Sequence, residues 1–143
     1  MAHNRRLGLA GVSLTKARVK IYDLEVMEKV GAALEKDIVA SNFLEGAPFD
    51  SVFVSLRYGL KSEEKPHYLG IHKKDKDLGL AIELDTHDLV EADRDGMKRL
   101  FETAVLKALI HAGRKYERPI QVLEERLARL QQGAGNPGPR CAR

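Results

Sequence analysis

The sequence predicts an α+β domain: an antiparallel sheet of three to five strands with helices packed on one face, in the order β(β)-α-β-β-β-α-α. Three observations predict it. Leu78, Leu80, Ile82 and Leu84 alternate, as do Val52, Val54, Leu56 and Tyr58, which is the period of strands with one buried face. Two longer stretches carry apolar residues at helical spacing, Leu24 to Ile38 and Met97 to Ala112. The segments between the strands are short and polar, which favours antiparallel hairpins.

Taken in order, residues 1–6 read as a flexible leader, 7–132 as a single domain and 133–143 as a disordered Gly/Pro-rich tail. Leu7 to Leu14 begins an entry strand, and the alternation of Val12, Leu14, Ala17, Val19 and Ile21 continues it or folds it into a hairpin near Thr15-Lys16. Asp23 is placed to cap a helix running to about Ser41. The loop Ser41–Asp50 holds Phe43 and Phe49, which should tuck under the domain edge or face a partner. Ser51–Tyr58 is a strand with apolar residues on both faces, suited to the middle of the sheet. A charged connection leads to a short strand, Tyr68–His72, and a polar turn brings the chain back as Leu78–Asp85. Leu89–Asp95 holds at most a loose turn, since Gly96 weakens helix there. A buried helix spans Met97–Lys115, and Pro119 opens a last one, to about Gln132, on an Ile120, Leu123, Leu127 and Leu130 line.

Composition narrows the function. With 143 residues, 43% hydrophobic and 31% charged, the chain can bury a core without disulfides or metal. The pI near 9.0 suggests nucleic acid until the charges are located. Arg5, Arg6, Arg140 and Arg143 lie in the ends, and without them the net +3 becomes −1, so the folded part offers phosphates no basic face. Cys141 stands alone, which fits a reducing cytoplasm, and reads as an unimportant surface thiol. The Arg5-Arg6 and Leu7–Leu14 stretch mimics an export signal without a small-x-small cleavage site, and no segment reaches membrane-spanning length. A cytoplasmic location is expected, with no membrane partner.

Candidate chemistry is sparse. Asp85, His87 and Asp88 are close enough to suggest ligands, but no His-x3-His, His-Glu-x2-His or Cys-x2-Cys spacing accompanies them. Asp-Thr-His-Asp serves better as a strand-to-helix turn whose side chains accept backbone N–H bonds. His67 and His72 fall on opposite faces of their strand, and His111, between Lys107 and Arg114, reads as solvated. There is no Gly-x-Ser-x-Gly, and Gly8, Gly11 and Gly31 form no phosphate loop. No enzyme, metal or cofactor is expected. What stands out is charge. Glu83, Asp85, Asp88, Glu91, Asp93 and Asp95 surround a single base, Arg94. Such a ledge is either a set of solvated helix-start acids or a surface that steers a basic partner.

Four segments resemble a known family: Ser41-Asn-Phe-Leu-Glu-Gly-Ala-Pro-Phe49, Arg57-Tyr-Gly-Leu-Lys61, Ile82-Glu-Leu-Asp-Thr-His-Asp-Leu89 and Leu106-Lys-Ala-Leu-Ile-His-Ala-Gly-Arg-Lys-Tyr116. Together they resemble immunity protein family thirty-nine of bacterial polymorphic-toxin systems, over about residues 8–130. The resemblance carries no catalytic residue. It implies a cytoplasmic antitoxin that binds the C-terminal domain of a secreted toxin and occludes its active or substrate surface. The toxin would then act in the cytoplasm, on nucleic acid or a nucleotide-dependent target. The ledge, with Glu83, Asp85, His87, Asp88, Glu91, Asp93 and Asp95, is the expected toxin-binding surface. The alternative is a nucleic-acid module, because the α-β-β-β-α order also resembles double-stranded-RNA-binding domains. Those place lysines where this chain reads Asp93-Arg-Asp-Gly-Met-Lys-Arg99.

Overall fold

A computed structural model describes residues 7–13 and 24–135. The elements are β1 (Leu7–Ser13), α1 (Leu24–Ala40), β2 (Ser51–Gly59), β3 (His67–Ile71), β4 (Asp77–Asp85), α2 (Thr86–Glu91), α3 (Arg94–Lys115) and α4 (Gln121–Gly135). The class is α+β as predicted. The expected leader, the Asp23 cap and the continuation of the first strand past residue 13 lie outside the described residues, and α4 runs to Gly135.

The sheet is mixed, not antiparallel, with order β1-β2-β4-β3. β1 pairs parallel to β2, from Leu7 opposite Val52, because α1 carries the chain back between them. β2 pairs parallel to β4 over its full length, from Ser51 opposite Asp77 to Gly59 opposite Asp85. Only β3 and β4 form the expected antiparallel hairpin. Between β2 and β3, residues 60–66 step past the end of β4 instead of turning back at once. That crossing is about 10 Å, well within reach of seven residues. The connection bonds β4 as it passes. Glu63 N–H donates to the Glu83 carbonyl at 2.9 Å, Glu83 N–H donates to the Glu63 carboxylate at 2.8 Å, and Asp85 N–H donates to Ser62 Oγ at 3.0 Å. β3 is an edge strand with an irregular register between Tyr68 and Gly70, and Gly70 takes a φ of 101°.

One core joins the helices to one side of this sheet. It takes Val52, Val54, Leu56 and Tyr58 from β2 and Leu78, Leu80, Ile82 and Leu84 from β4, as the alternation required. α1 adds Val26, Met27, Val30, Leu34 and Ile38, and α3 buries ten residues, including the charged Glu102. Arg126 of α4 answers that charge, bonding Glu102 at 2.5 Å and Asp37 of α1 at 2.9 Å. Burial alone lowers the guanidinium's pKa, and its bonds to Glu102 and Asp37 outweigh this and hold it above the ordinary value.

Two helix ends meet at one place. α1 closes with Asn42 in the left-handed region (φ 61°), while Phe43 N–H donates to the Ile38 carbonyl and Asn42 N–H to that of Val39. α3 closes the same way, with Glu117 at φ 57°, Arg118 N–H on the Gly113 carbonyl and Glu117 N–H on that of Arg114. Both are Schellman caps. The Arg118 side chain then donates from α3's cap to the Asn42, Phe43 and Glu45 carbonyls, so a cation fixed at the end of α3 serves the negative end of α1. Phe43 and Phe49 are fully buried here, tucked under the edge, and Phe49 meets Tyr116 edge-on at 5.1 Å.

Gly113 is where the packing has least room. A Cβ there would collide with Ile120 Cγ2 and stand 3.0 Å from the Phe43 ring. Gly113→Ala should therefore cost about 1–3 kcal/mol in urea unfolding, despite alanine's better helix propensity. Unchanged or increased stability would show that Ile120 yields freely.

Candidate functional site

The C-terminal ends of parallel strands are where open sheets usually receive partners, and β2 and β4 end side by side, Gly59 opposite Asp85. Leu60 follows Gly59 and stands almost wholly in solvent, 95% exposed. After Asp85 the chain enters α2, which sequence reasoning missed because a six-residue helix with its cap has the composition of a turn. The Asp85 carboxylate accepts from the N–H groups of His87 (2.8 Å) and Asp88 (3.4 Å), so it caps this helix. Leu89 is buried and anchors α2 to the core, which turns His87, Asp88, Val90 and Glu91 outward. Val90 is 55% exposed.

The next acid repeats the arrangement. Asp93 accepts from Gly96 N–H at 2.7 Å and caps α3, which therefore starts at Arg94, ahead of the expected Met97. Gly96 fits this cap, because a Cβ there would crowd Asp93 Oδ1 and Ala92 Cβ at 3.1 and 3.2 Å. Arg94, the lone base of the ledge, reaches across to Glu25 of α1 at 2.8 Å. Asp88 and Asp95 occupy the first turns of α2 and α3, where the helix dipole favours negative charge.

The seven expected residues thus divide into three groups. Asp85 and Asp93 hold the backbone. His87, Asp88, Glu91 and Asp95 are exposed, and among the described residues their side chains have no ion-pair partner. Glu83 lies apart, on the strand face turned away from the core, with its carboxylate against Gly59. What the structure brings together is an acidic flank on two short-range caps, bordered by two exposed apolar side chains.

The remaining candidates are occupied differently. His67 bonds the same Glu63 carboxylate that receives Glu83 N–H, and His72 lies 3.4 Å from Asp75. His111 is half-buried rather than solvated, and its Nδ1 bonds the Tyr68 hydroxyl at 2.7 Å. Lys107 and His111 sit four apart on one face of α3 and meet Glu64 of the β2–β3 connection and Tyr68 of β3. Among the described residues no three His, Cys, Asp or Glu side chains gather as a metal-holding group. A cleft of about 540 Å³ between β1 and α1 offers Leu7, Leu9 and Met27 with glutamates at its rim. At the start of α3, where a duplex-RNA module would place lysines, Asp93 is a cap and Asp95 is exposed.

Residues 1–129 match the family model described as Immunity protein 39, the family that the four segments resemble. No curated protein and no solved structure matches the chain.

Two measurements test this geometry. Asp85→Ala and Asp93→Ala should each lose about 1 kcal/mol in urea unfolding, whereas Asp88→Ala and Glu91→Ala should stay within about 0.5 kcal/mol of the parent. Equal losses at all four would remove the distinction between caps and free carboxylates. Burial, with a smaller contribution from Tyr116, pushes the Tyr68 phenol up to about 12 from 10.0. A folded pKa above the unfolded one means stability held below pH 10 and lost as pH rises towards 12. Spectrophotometric titration at 295 nm should show one fewer late-ionising tyrosine in Tyr68→Phe than in the parent chain.

Proposed function

The chain belongs to the immunity protein 39 family, and we propose that it neutralises one cognate toxin by stoichiometric binding, covering that toxin's active or substrate surface. The toxin is then the C-terminal domain of a secreted polymorphic toxin deployed in interbacterial competition, and the protection is non-catalytic. The observation that carries the reading is the exposed flank of α2 and the start of α3. His87, Asp88, Glu91 and Asp95 present unpaired polar groups there, and Leu60 and Val90 present apolar ones. Apolar anchors within a charged rim are what a specific protein interface needs, and the sign selects a basic partner surface. Asp85 and Asp93 belong to this surface as the caps that hold it in place. Glu83 contributes from its border.

A basic partner surface suits a toxin that handles nucleic acid or a nucleotide, and such a target calls for protection in the cytoplasm. Among the described residues no helix is long and apolar enough to cross a membrane.

The test uses the toxin domain encoded beside this chain. Asp88→Lys, Glu91→Lys and Asp95→Lys together should weaken binding about 10–100-fold, mainly through slower association that salt no longer modulates. Asp85 is left intact because its loss would unseat α2. Unchanged affinity in a folded triple variant removes this surface from the mechanism. Failure of the parent chain to bind that domain or to rescue growth removes the immunity reading itself.

A further inference from the structure

From Glu102 to Gly113, α3 is buried except at Thr103, Lys107 and His111, which are half-exposed. With Asp95 and Arg99 these stand four apart, in one row that leads along the helix from the acidic flank. The row looks out through a slot between α4 and the β2–β3 connection. Two cavities open along the slot and share Lys107 and Gln131. In the one farther from the flank, about 360 Å³, the charges are already matched: Lys107 with Glu64 at 3.0 Å and Arg114 with Glu124 at 2.8 Å. The nearer one, about 460 Å³, differs in character. Leu100 and Leu130, both half-buried, form its walls above Leu84 and Ala104. Glu63 at its rim is engaged by Glu83 N–H and the His67 ring. Arg99, also at the rim, is exposed and has no ion-pair partner among the described residues. This cavity adjoins the flank on two sides, since Ser62 Oγ receives Asp85 N–H and Arg99 follows Asp95 by one turn.

The flank by itself is too small to hold a partner tightly. A stable complex covers about 800 Å² on each side, or roughly 20–30 residues, and its energy concentrates where a large side chain fills a pocket. Whatever covers Asp95 must continue over Arg99. We infer that the cavity between Leu100 and Leu130 is the anchoring pocket of the toxin interface, taking one large apolar side chain of the toxin with a carboxylate beside it for Arg99. The inference rests on the immunity reading and supplies the other half of the partner's chemistry. The toxin surface is basic where it faces the flank, and apolar and acidic where it faces the slot. Residues 136–143 of the chain itself make a poorer occupant. Asn-Pro-Gly-Pro-Arg-Cys-Ala-Arg has no large apolar side chain, and its two arginines would be brought against Arg99 and Lys107.

Arg99→Glu separates an anchoring pocket from acidic steering alone. A toxin that senses only negative potential should bind this variant more tightly, because it adds an acid beside Asp95. A toxin whose carboxylate rests on Arg99 should bind it at least about tenfold more weakly. Thr103→Phe fills the cavity from its half-exposed wall and should also weaken binding at least about tenfold, while Thr103→Val leaves the room and should stay within about threefold of the parent. Calorimetric titration of the full chain with the neighbouring toxin domain reads all three, with urea unfolding as the check on folding. Should Thr103→Phe fail to fold, Arg99→Glu decides, since its side chain is exposed. Unchanged or tighter binding by Arg99→Glu overturns the inference, and so does parent affinity in a folded Thr103→Phe. A loss in Thr103→Val equal to that in Thr103→Phe overturns it too, by tracing the effect to the hydroxyl. In each case a parent chain that still binds leaves the immunity reading standing, whereas a parent chain that does not bind removes both. If the parent dimerises below about 100 µM and Thr103→Phe dissociates it without touching toxin affinity, the cavity belongs to a second copy and the inference falls.

Discussion

The structure depends on β4 lying between β2 and β3. Nine consecutive register pairs with β2 fix which way every β4 side chain points. Leu78, Leu80, Ile82 and Leu84 thereby enter the core, and Gly79, Ala81 and Glu83 go to the far face. A slip by one residue would exchange the two sets and send a glutamate into the apolar layer. The same pairing delivers Asp85 beside Gly59, and from that point the local caps of Asp85 and Asp93, with Leu89 seated in the core, set α2 and the acidic flank.

A second fixed point lies at the opposite end of the molecule. The ends of α1 and α3 are closed by matching caps and joined by Arg118, while Phe43, Phe49, Gly113 and Tyr116 fill the space between them. Two of the four segments that carry the family resemblance, 41–49 and 106–116, meet here, and the other two, 57–61 and 82–89, meet at the ends of β2 and β4. Much of what is distinctive in the sequence is therefore architectural. Asn42 in a left-handed cap and a glycine under an aromatic ring are needed for the chain to close, whatever it binds.

This explains what was legible in the sequence and what was not. Alternation in Val52–Tyr58 and Leu78–Leu84 reports which face a residue joins, and both assignments hold in the structure. It does not report which strand lies alongside, so an α1 crossover and a connection able to step past a strand were indistinguishable from antiparallel hairpins. Charge behaved similarly. Asp85 and Asp93 looked like part of a ledge because a capping carboxylate and a free one differ only in the backbone beside them. Glu83 was grouped with them by sequence proximity, although it lies inside β4 whereas Asp85 and Asp93 stand at helix starts. His111 was misjudged because a helix reveals its own polar side, not the Tyr68 hydroxyl that arrives from a strand 43 residues away.

The irregular edge strand has one more implication. β3 is five residues long, is broken in register between Tyr68 and Gly70, and is followed by a turn containing Lys73, Lys74 and Lys76. A short, bulged border with cations beside it is a poor template for a foreign strand to extend the sheet. On its β3 side the fold therefore makes runaway polymerisation along the hydrogen-bonding direction difficult, even where many copies of the chain are crowded together.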